Sequence, residues 1–351
     1  MIRSDDRKNM KNVLVHITIL AVLGAPAAVE SVKLVLRPTK TVLQADKLSL
    51  TFASQELAGG QEDAQPLYEK ALQALPDKSQ SGQMSQWLKV APVELPVDEV
   101  KAGIKQYGPA MELIEKAARC KQCKWPAIKP GAKIDNLSVY RELAVVLAVR
   151  ARLEIAQGQY GQALSTLRTG LAMARHIGRS QTLVQSLVGV GIGNVMCQQF
   201  EQLVQGPQSP NLHAALQNLP RPLIDVNEAI QSELANLQND PKYLLTQRTL
   251  MQQLKPAHDK VRLTSKKLDR HIAALQCVEA VRLFAGRTGV LPKALSEITD
   301  ASVPADPVAG KPFIYQKTDV GAVLEGAIPE GGQPRDTIRY ELSLVGLSRV
   351  I

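Results

Sequence analysis

Two cysteines three residues apart, in the run Cys120-Lys121-Gln122-Cys123, are the side chains of this sequence most readily tied to a chemistry. A C-x-x-C pair can be a redox couple, half of a zinc site or a haem anchor. Haem attachment needs histidine at the next position, where Lys124 stands. Structural zinc needs two further ligands at ordered spacing, but Cys197 and Cys277 are single and lie in helical contexts. No thioredoxin-like β-α-β pattern surrounds the pair, so the expectation for Cys120 and Cys123 is a local disulfide or two partly buried thiols.

The other chemically capable residues are dispersed. The five histidines, at positions 16, 176, 213, 258 and 271, show no metal or triad spacing, and His176 falls near a helix C-terminus, where it is expected to act as a favourable cap. Asp300 and Asp306 are two carboxylates where calcium wants six to eight oxygens, so turn and cap roles are expected for them. Gly189-Val190-Gly191-Ile192-Gly193 has the glycine alternation of a phosphate loop. It lies inside a helical pattern instead of between strand and helix, which points to close helix contact. Arg141, Glu142, Glu154 and Tyr160 flank the central helices and are the candidate lining of a partner groove. The spacing of Arg150 and Glu154 also allows an ordinary helical ion pair. No cofactor and no catalytic or metal residue is expected.

The stretch Tyr140–Ile177 must position that groove. Leu143, Leu147, Ala151 and Ile155 recur every four residues, and Leu143–Val149 contains no polar side chain, which predicts a helix covered on more than one side. Gly158 breaks the pattern, and a second stripe follows at Ala163, Leu167, Leu171 and Ala174, so two helices are expected to pack antiparallel. Before them, helices are expected over 43–58, 64–75 and 99–118, the last capped by Asp98 and bent at Tyr107-Gly108-Pro109, with a loop leading to Trp87. Ser31–Leu36 alternates like a short strand. After the central hairpin, helices are expected over 179–205, 211–218 and 226–237, the last entered through Asp225. Two more are expected over 242–254 and 256–284. From Thr288 the chain shifts to glycine, proline and β-formers, with strand-like runs near 313–316, 322–325 and 337–344. The fold class is therefore mostly α: a helical-hairpin solenoid or bundle with a small C-terminal α+β meander. The expected units are a leader over 1–27, a helical-hairpin domain over 28–285 and a meander over 286–351 docked through Val281, Phe284, Phe313 and Tyr315.

Composition sets the remaining bounds. The chain has 351 residues, 45% apolar and only 4% aromatic, which suits helix–helix packing by small and straight side chains. Its net charge of +9, from 42 basic against 33 acidic residues, is spread without a dense basic run or interleaved aromatics, so nucleic acid is not an expected partner. Lys11 opens a positive flank, Val13–Leu23 is an apolar run, and Ala25-Pro26-Ala27 has signal-peptidase spacing. The run is short for a bilayer, so cleavage after Ala27 and an exported protein of the periplasm or cell surface, without a stable membrane span, are expected. Met10 is an alternative start.

Three resemblances add to this. Ala151, Gly158, Tyr160, Ala163 and Leu167 sit at the spacings of a tetratricopeptide repeat, with departures at Gly170 and Arg150 and without a strict 34-residue period elsewhere. The order of AQPLYEKAL, PVELPVDEV, the cysteine–tryptophan loop, RELAVVLAVRARLEIAQGQY, LPRPLID and VPADPVAGKPFIY resembles a family of uncharacterised exported proteins of planctomycete bacteria, which implies no activity or ligand. CVEAVRLFAGRTGVLPKALSEI with VPADPVAGKPFIY is similar to the helix-to-sheet segment of type II secretion pseudopilins, whose apolar assembly helix would stand directly ahead of it. The function expected is an exported, non-enzymatic binding or scaffold protein with a protein or peptide partner. A pseudopilin-like assembly component and a periplasmic enzyme with a site in a helical groove are the alternatives.

Overall fold

The structure, a computed structural model, describes residues 31–50, 63–76, 80–126, 137–239, 247–330 and 332–345. The expected leader and the second half of the expected helix over 43–58 lie outside these residues. The chain is mostly helical with a small sheet built largely from its C-terminal part.

Helix α1 spans Gln65–Gln73, α2 Ser81–Trp87, α3 Val97–Lys105 and α4 Gly108–Ala118. The stretch leading to Trp87, expected as loop, is thus helical. The Trp87 ring is buried so close to Gly103 that a Cβ there would lie 2.8 Å from it. The break between α3 and α4 falls at Tyr107, as Gly108-Pro109 predicts. Asp98 is not the cap, however: it sits inside the first turn, and the Pro96 carbonyl takes the Val100 amide at 2.9 Å. Instead of a helix from Leu43, the chain runs extended beside Asn211 and makes only a short 3-10 turn at Ala45–Leu48. The Leu43 amide donates to Asn211 at 2.8 Å and Asn211 donates to Thr41 at 2.7 Å, which commits this backbone across the chain instead of along it.

Helices α5 (Leu137–Ala156), α6 (Tyr160–Gly178) and α7 (Leu183–Val204) form the centre. α5 packs on both α6 and α7, so the three form a bundle. The absence of a polar face explains this: Leu143, Ala144 and Val146–Val149 are all buried, and the helix needs cover on several sides. Gly158 supplies the turn with φ +70°. Thr182 caps α7 through its hydroxyl. Gly189 then lets α7 approach α6 until a Cβ would lie 2.6 Å from the Ala174 carbonyl and the Gly178 backbone, and at Gly193 a Cβ would meet Leu268 at 2.7 Å. The glycine alternation is a packing device at these two positions.

After α8 (His213–Gln217) and α9 (Asn227–Asn239), one helix, α10, runs from Gln247 to Thr288. The two segments expected on either side of Lys255 are joined, with the exposed Pro256 carried inside the helix. α10 packs on α7 and α8.

The strands are β1 (Ser31–Leu36), β2 (Ala305–Asp306), β3 (Lys311–Pro312), β4 (Ile314–Lys317), β5 (Ala322–Glu325) and β6 (Arg339–Leu344). Four form a sheet in the order β1-β6-β5-β4, and β2 pairs with β3. β1 is more than a lead-in to the helical domain: it lies parallel to β6, with Leu34 opposite Leu342 and Leu36 opposite Leu344, so the two ends of the described chain share one sheet. Period-two alternation sorts the faces. Leu34, Leu36, Ala322, Leu324, Tyr340, Leu342 and Leu344 are buried on one side, and the Arg339–Glu325 pair, 2.7 Å apart, lies on the other. Of the expected docking set, Val281 and Phe313 are buried and Phe284 and Tyr315 are half-buried. Prolines 292 and 304 shape the connection, which carries only a 3-10 turn at Leu295–Glu297.

Candidate binding groove

The cysteines are both free thiols, Cys120 buried and Cys123 half-buried. Burial pushes both thiols up, and Asp63 adds to the shift, so neither is a ready thiolate nucleophile. Around them Tyr68 meets Trp125 in a stacked contact at 6.3 Å, and Trp125 meets Tyr140 edge-on at 5.9 Å. His176 sits inside this cluster. Its Nδ1 is 3.0 Å from the Tyr68 hydroxyl, the ring also hydrogen-bonds the Cys120 backbone, and Trp125 Nε1 donates to the His176 carbonyl at 2.7 Å. Burial and the neighbouring Arg175 lower His176 to about 4, so the expected charged cap is instead a neutral buried imidazole. The cluster joins α1, the cysteine segment and the end of α6.

The four residues expected to line a partner groove are not gathered into one. Arg141 is exposed near the start of α5, and Glu142 accepts the Tyr107 hydroxyl proton at 2.8 Å, next to the break between α3 and α4. Glu154 is buried at the other end of α5, held by Arg150 Nε at 3.0 Å and the Thr166 hydroxyl at 2.7 Å. Tyr160 starts α6 and donates to the Pro207 carbonyl at 2.6 Å. The Arg150–Glu154 helical pair forms as its spacing allows, with its carboxylate buried.

Polar residues that the sequence pattern did not single out carry the interior contacts. Arg152 donates to the Leu88 and Val90 carbonyls, each at 2.6 Å, and to Gln199 at 3.0 Å. Glu201 Oε1 receives His271 Nε2 and the Tyr340 hydroxyl, both at 2.8 Å, linking α7, α10 and β6. Glu279 and Arg282, both fully buried and 2.9 Å apart, hold Asn211 and the Ser209 carbonyl. Burial raises Glu279, opposed by the guanidinium of Arg282. Outside the aromatic cluster, the described histidine rings meet these groups: His213 the Ser302 carbonyl, His258 Glu233 and His271 Glu201. Among the described residues, no three His, Cys, Asp or Glu side chains gather as a metal site. Arginine or glutamate within an apolar helical run was the available signal for these contacts.

One open cleft lies where α8 and α10 meet the strand unit, and a second lies beside it within the strand unit. The first, of about 360 Å³, is lined by Gln217, Arg221, Asp269, Ala273 and Gln276. The other, of about 660 Å³, has Leu295, Ile298, Ala301 and Val303 on one wall and Pro312, Phe313 and Tyr315 on the other. They share Ser302, Pro304 and Ala305, so the two clefts adjoin, charged and amide side chains lining the first and mostly apolar ones the second. The shared rim is fixed: the Ser302 carbonyl is 2.7 Å from His213 Nε2, Gln276 reaches the Ser302 hydroxyl at 3.3 Å, and Cys277 contacts the Pro304 carbonyl. At the polar end Arg221 Nη1 donates to the Asp269 carbonyl at 2.8 Å, and the Asp269 carboxylate accepts the Leu223 amide at 2.9 Å. Burial raises Asp269, opposed by that amide and by Arg221.

Adjoining open clefts with mostly apolar walls and a few fixed polar groups suit a chain segment. Comparison with family models, curated proteins and solved structures returns no match. Among the described residues, no helix is long and apolar enough to cross a membrane.

Proposed function

We propose that this chain is an exported, non-enzymatic binding protein that holds a protein or peptide partner in the two adjoining clefts of the strand unit, the first of which borders the long helix. The observation that carries this reading is the continuity of the two clefts along Ser302, Pro304 and Ala305, a rim anchored to α8 and α10. A pre-formed apolar trough beside a fixed polar end lowers the ordering needed on binding. Export is supported by the leader-like run ending at Ala27.

The test is a photo-crosslinking residue placed at Ser296, which is exposed and lines the apolar cleft, against the same residue at Val93, 89% exposed and outside it. In the producing cell, a discrete protein adduct at 296 that is absent at 93, and lost when Ala294→Trp fills the cleft, is the expected result. Identical adducts at both positions, or none at 296, would overturn the reading.

A further inference from the structure

The apolar cleft runs beside a sheet edge, and the geometry of that edge says how a partner would sit there. β4 is the last strand of the sheet, paired on one side only, with β5. Its hairpin closes with the Thr318 amide donating to the Gly321 carbonyl at 2.8 Å. Counting back from that bond in steps of two, Gln316 and Ile314 direct their backbone groups at Val323 and Glu325. The intervening residues, Tyr315 and Lys317, therefore turn their N–H and C=O groups away from the sheet. No backbone partner meets these groups among the described residues.

Side-chain direction supplies the second half of the argument. Tyr315 and Lys317 stand opposite Leu324 and Ala322, which are buried, so their side chains lie on the inner face, and Ile314, 55% exposed, lies on the outer one. The Tyr315 hydroxyl donates to the Pro292 carbonyl at 3.0 Å and Lys317 Nζ to the Leu291 carbonyl at 3.3 Å. An added strand paired with β4 would place every second side chain on this inner face. The residue opposite Tyr315 would then point into the trough lined by Leu295, Ile298 and Phe313.

Charge selects the occupant. Lys293, Lys311 and Lys317 are exposed around this edge, and none has an ion-pair partner among the described residues. The nearby acids are fewer: Asp300 pairs with Arg287 at 2.6 Å, and Glu297, which accepts the Lys293 amide at 2.8 Å, and Asp319 in the hairpin turn stand against the three lysines. A second copy pairing β4 against β4 would set one lysine-rich edge against another, which their like charge disfavours. We infer that β4 accepts an extended peptide segment of alternating apolar and acidic residues as a fifth strand, its apolar side chain in the cleft and its carboxylates at the lysines. This rests on the binding reading above and adds the mode of recognition: main-chain hydrogen bonds for affinity, one pocket for specificity.

Lys317→Pro is the decisive variant. The ring removes an outward N–H while leaving the bonds to β5 in place, the one setting in which a strand tolerates proline. Lys317→Ala removes the charge and the bond to the Leu291 carbonyl but keeps the N–H. A phage-displayed library of random decapeptides is panned against the full chain, and the enriched peptides are titrated into wild type and both variants, whose melting temperatures are matched first. The expected result is enrichment of alternating apolar and acidic sequences that lose about tenfold in affinity with Lys317→Pro and about two- to threefold with Lys317→Ala. No enrichment, enrichment without acidic residues, or equal losses in the two variants would overturn the proposal. So would wild-type self-association that Lys317→Pro abolishes, since that makes a second copy the occupant. An adduct at residue 296 that Ala294→Trp removes and Lys317→Pro leaves intact would retain the groove and reject strand addition.

Discussion

Arg270 Nε donates to Asp306 Oδ1 at 2.7 Å, with side-chain exposures of 2% and 0%, and through this pair the long helix α10 grips the strand unit. The same guanidinium reaches the Asp336 carbonyl at 2.6 Å and the Ala327 carbonyl at 2.8 Å, so one side chain holds three separate turns of the C-terminal chain. Asp306 also accepts the Val308 amide at 2.9 Å, closing its own loop. Removing one member strands the other without water. Asp306→Ala is expected to destabilise the protein by about 3–5 kcal/mol in urea denaturation, whereas the double variant Arg270→Met with Asp306→Leu is expected to recover most of that loss. A double variant no better than the single would mean that the carbonyl contacts, and not the buried charge, dominate.

The pH dependence should have a component assignable to His176. Its folded value, about 4, lies below the unfolded value of about 6.5 because the ring is buried and Arg175 is near. The unfolded chain therefore binds the proton first. Stability from this site is complete above about pH 6.5 and declines as pH falls toward about 4, at no more than about 1.4 kcal/mol per pH unit. His176→Gln should flatten that part of the acid limb in denaturation titrations between these limits. An acid limb identical to wild type would place the titrating group elsewhere.

Much of the body was legible in the sequence because its helices are long and strongly patterned: the Leu143–Val149 run, the Gly158 turn and the stripe from Ala163 announce α5 and α6 directly. The break at Tyr107-Gly108-Pro109 was legible for the same reason, since proline acts locally. What was not legible depends on partners distant in the chain. The segment after Val42 has helical composition, but its backbone is bonded to Asn211. β1 reads as a fragment until β6 lies beside it, 308 positions on in the pair Ser31 and Arg339. The clefts are not legible in sequence because their walls, Leu295, Ile298 and Phe313, come from an irregular proline-rich stretch with no period to read, while Glu142, Glu154 and Tyr160, although on one helical hairpin, bond to different neighbours.

The glycines of α7 separate packing from propensity. At Gly189 a Cβ would lie 2.6 Å from backbone atoms of α6, which cannot rotate aside, whereas at Gly191 nothing lies within 4 Å. Gly189→Ala should therefore cost about 1–3 kcal/mol through displaced helices. Gly191→Ala should instead stabilise by about 0.5–1 kcal/mol, the helix-propensity difference. Thermal melts of the two variants measure the contrast. Equal effects of the same sign would show that α6 and α7 do not approach as closely as the backbone indicates.

The strand unit is expected to be inseparable from the helical body. Its inner face, Tyr340, Leu342 and Leu344, is buried in register with Val32, Leu34 and Leu36 of β1, which precedes every described helix. Truncation after Arg287 would expose those two leucines, leave Arg270 without Asp306 and leave Glu201 without the Tyr340 hydroxyl. Two buried ionisable groups and an apolar sheet face would lose their cover at once, a loss comparable to a domain's whole stability of roughly 5–15 kcal/mol. The truncated protein should melt early or without a cooperative transition, and bind a dye specific for apolar surface. Leu34→Asp, a single change in the N-terminal strand, should loosen the same C-terminal sheet, read as faster amide hydrogen exchange across Arg339–Leu344. If exchange there is unchanged while the truncated body keeps its melting temperature, the sheet is an independent unit and β1 only borders it.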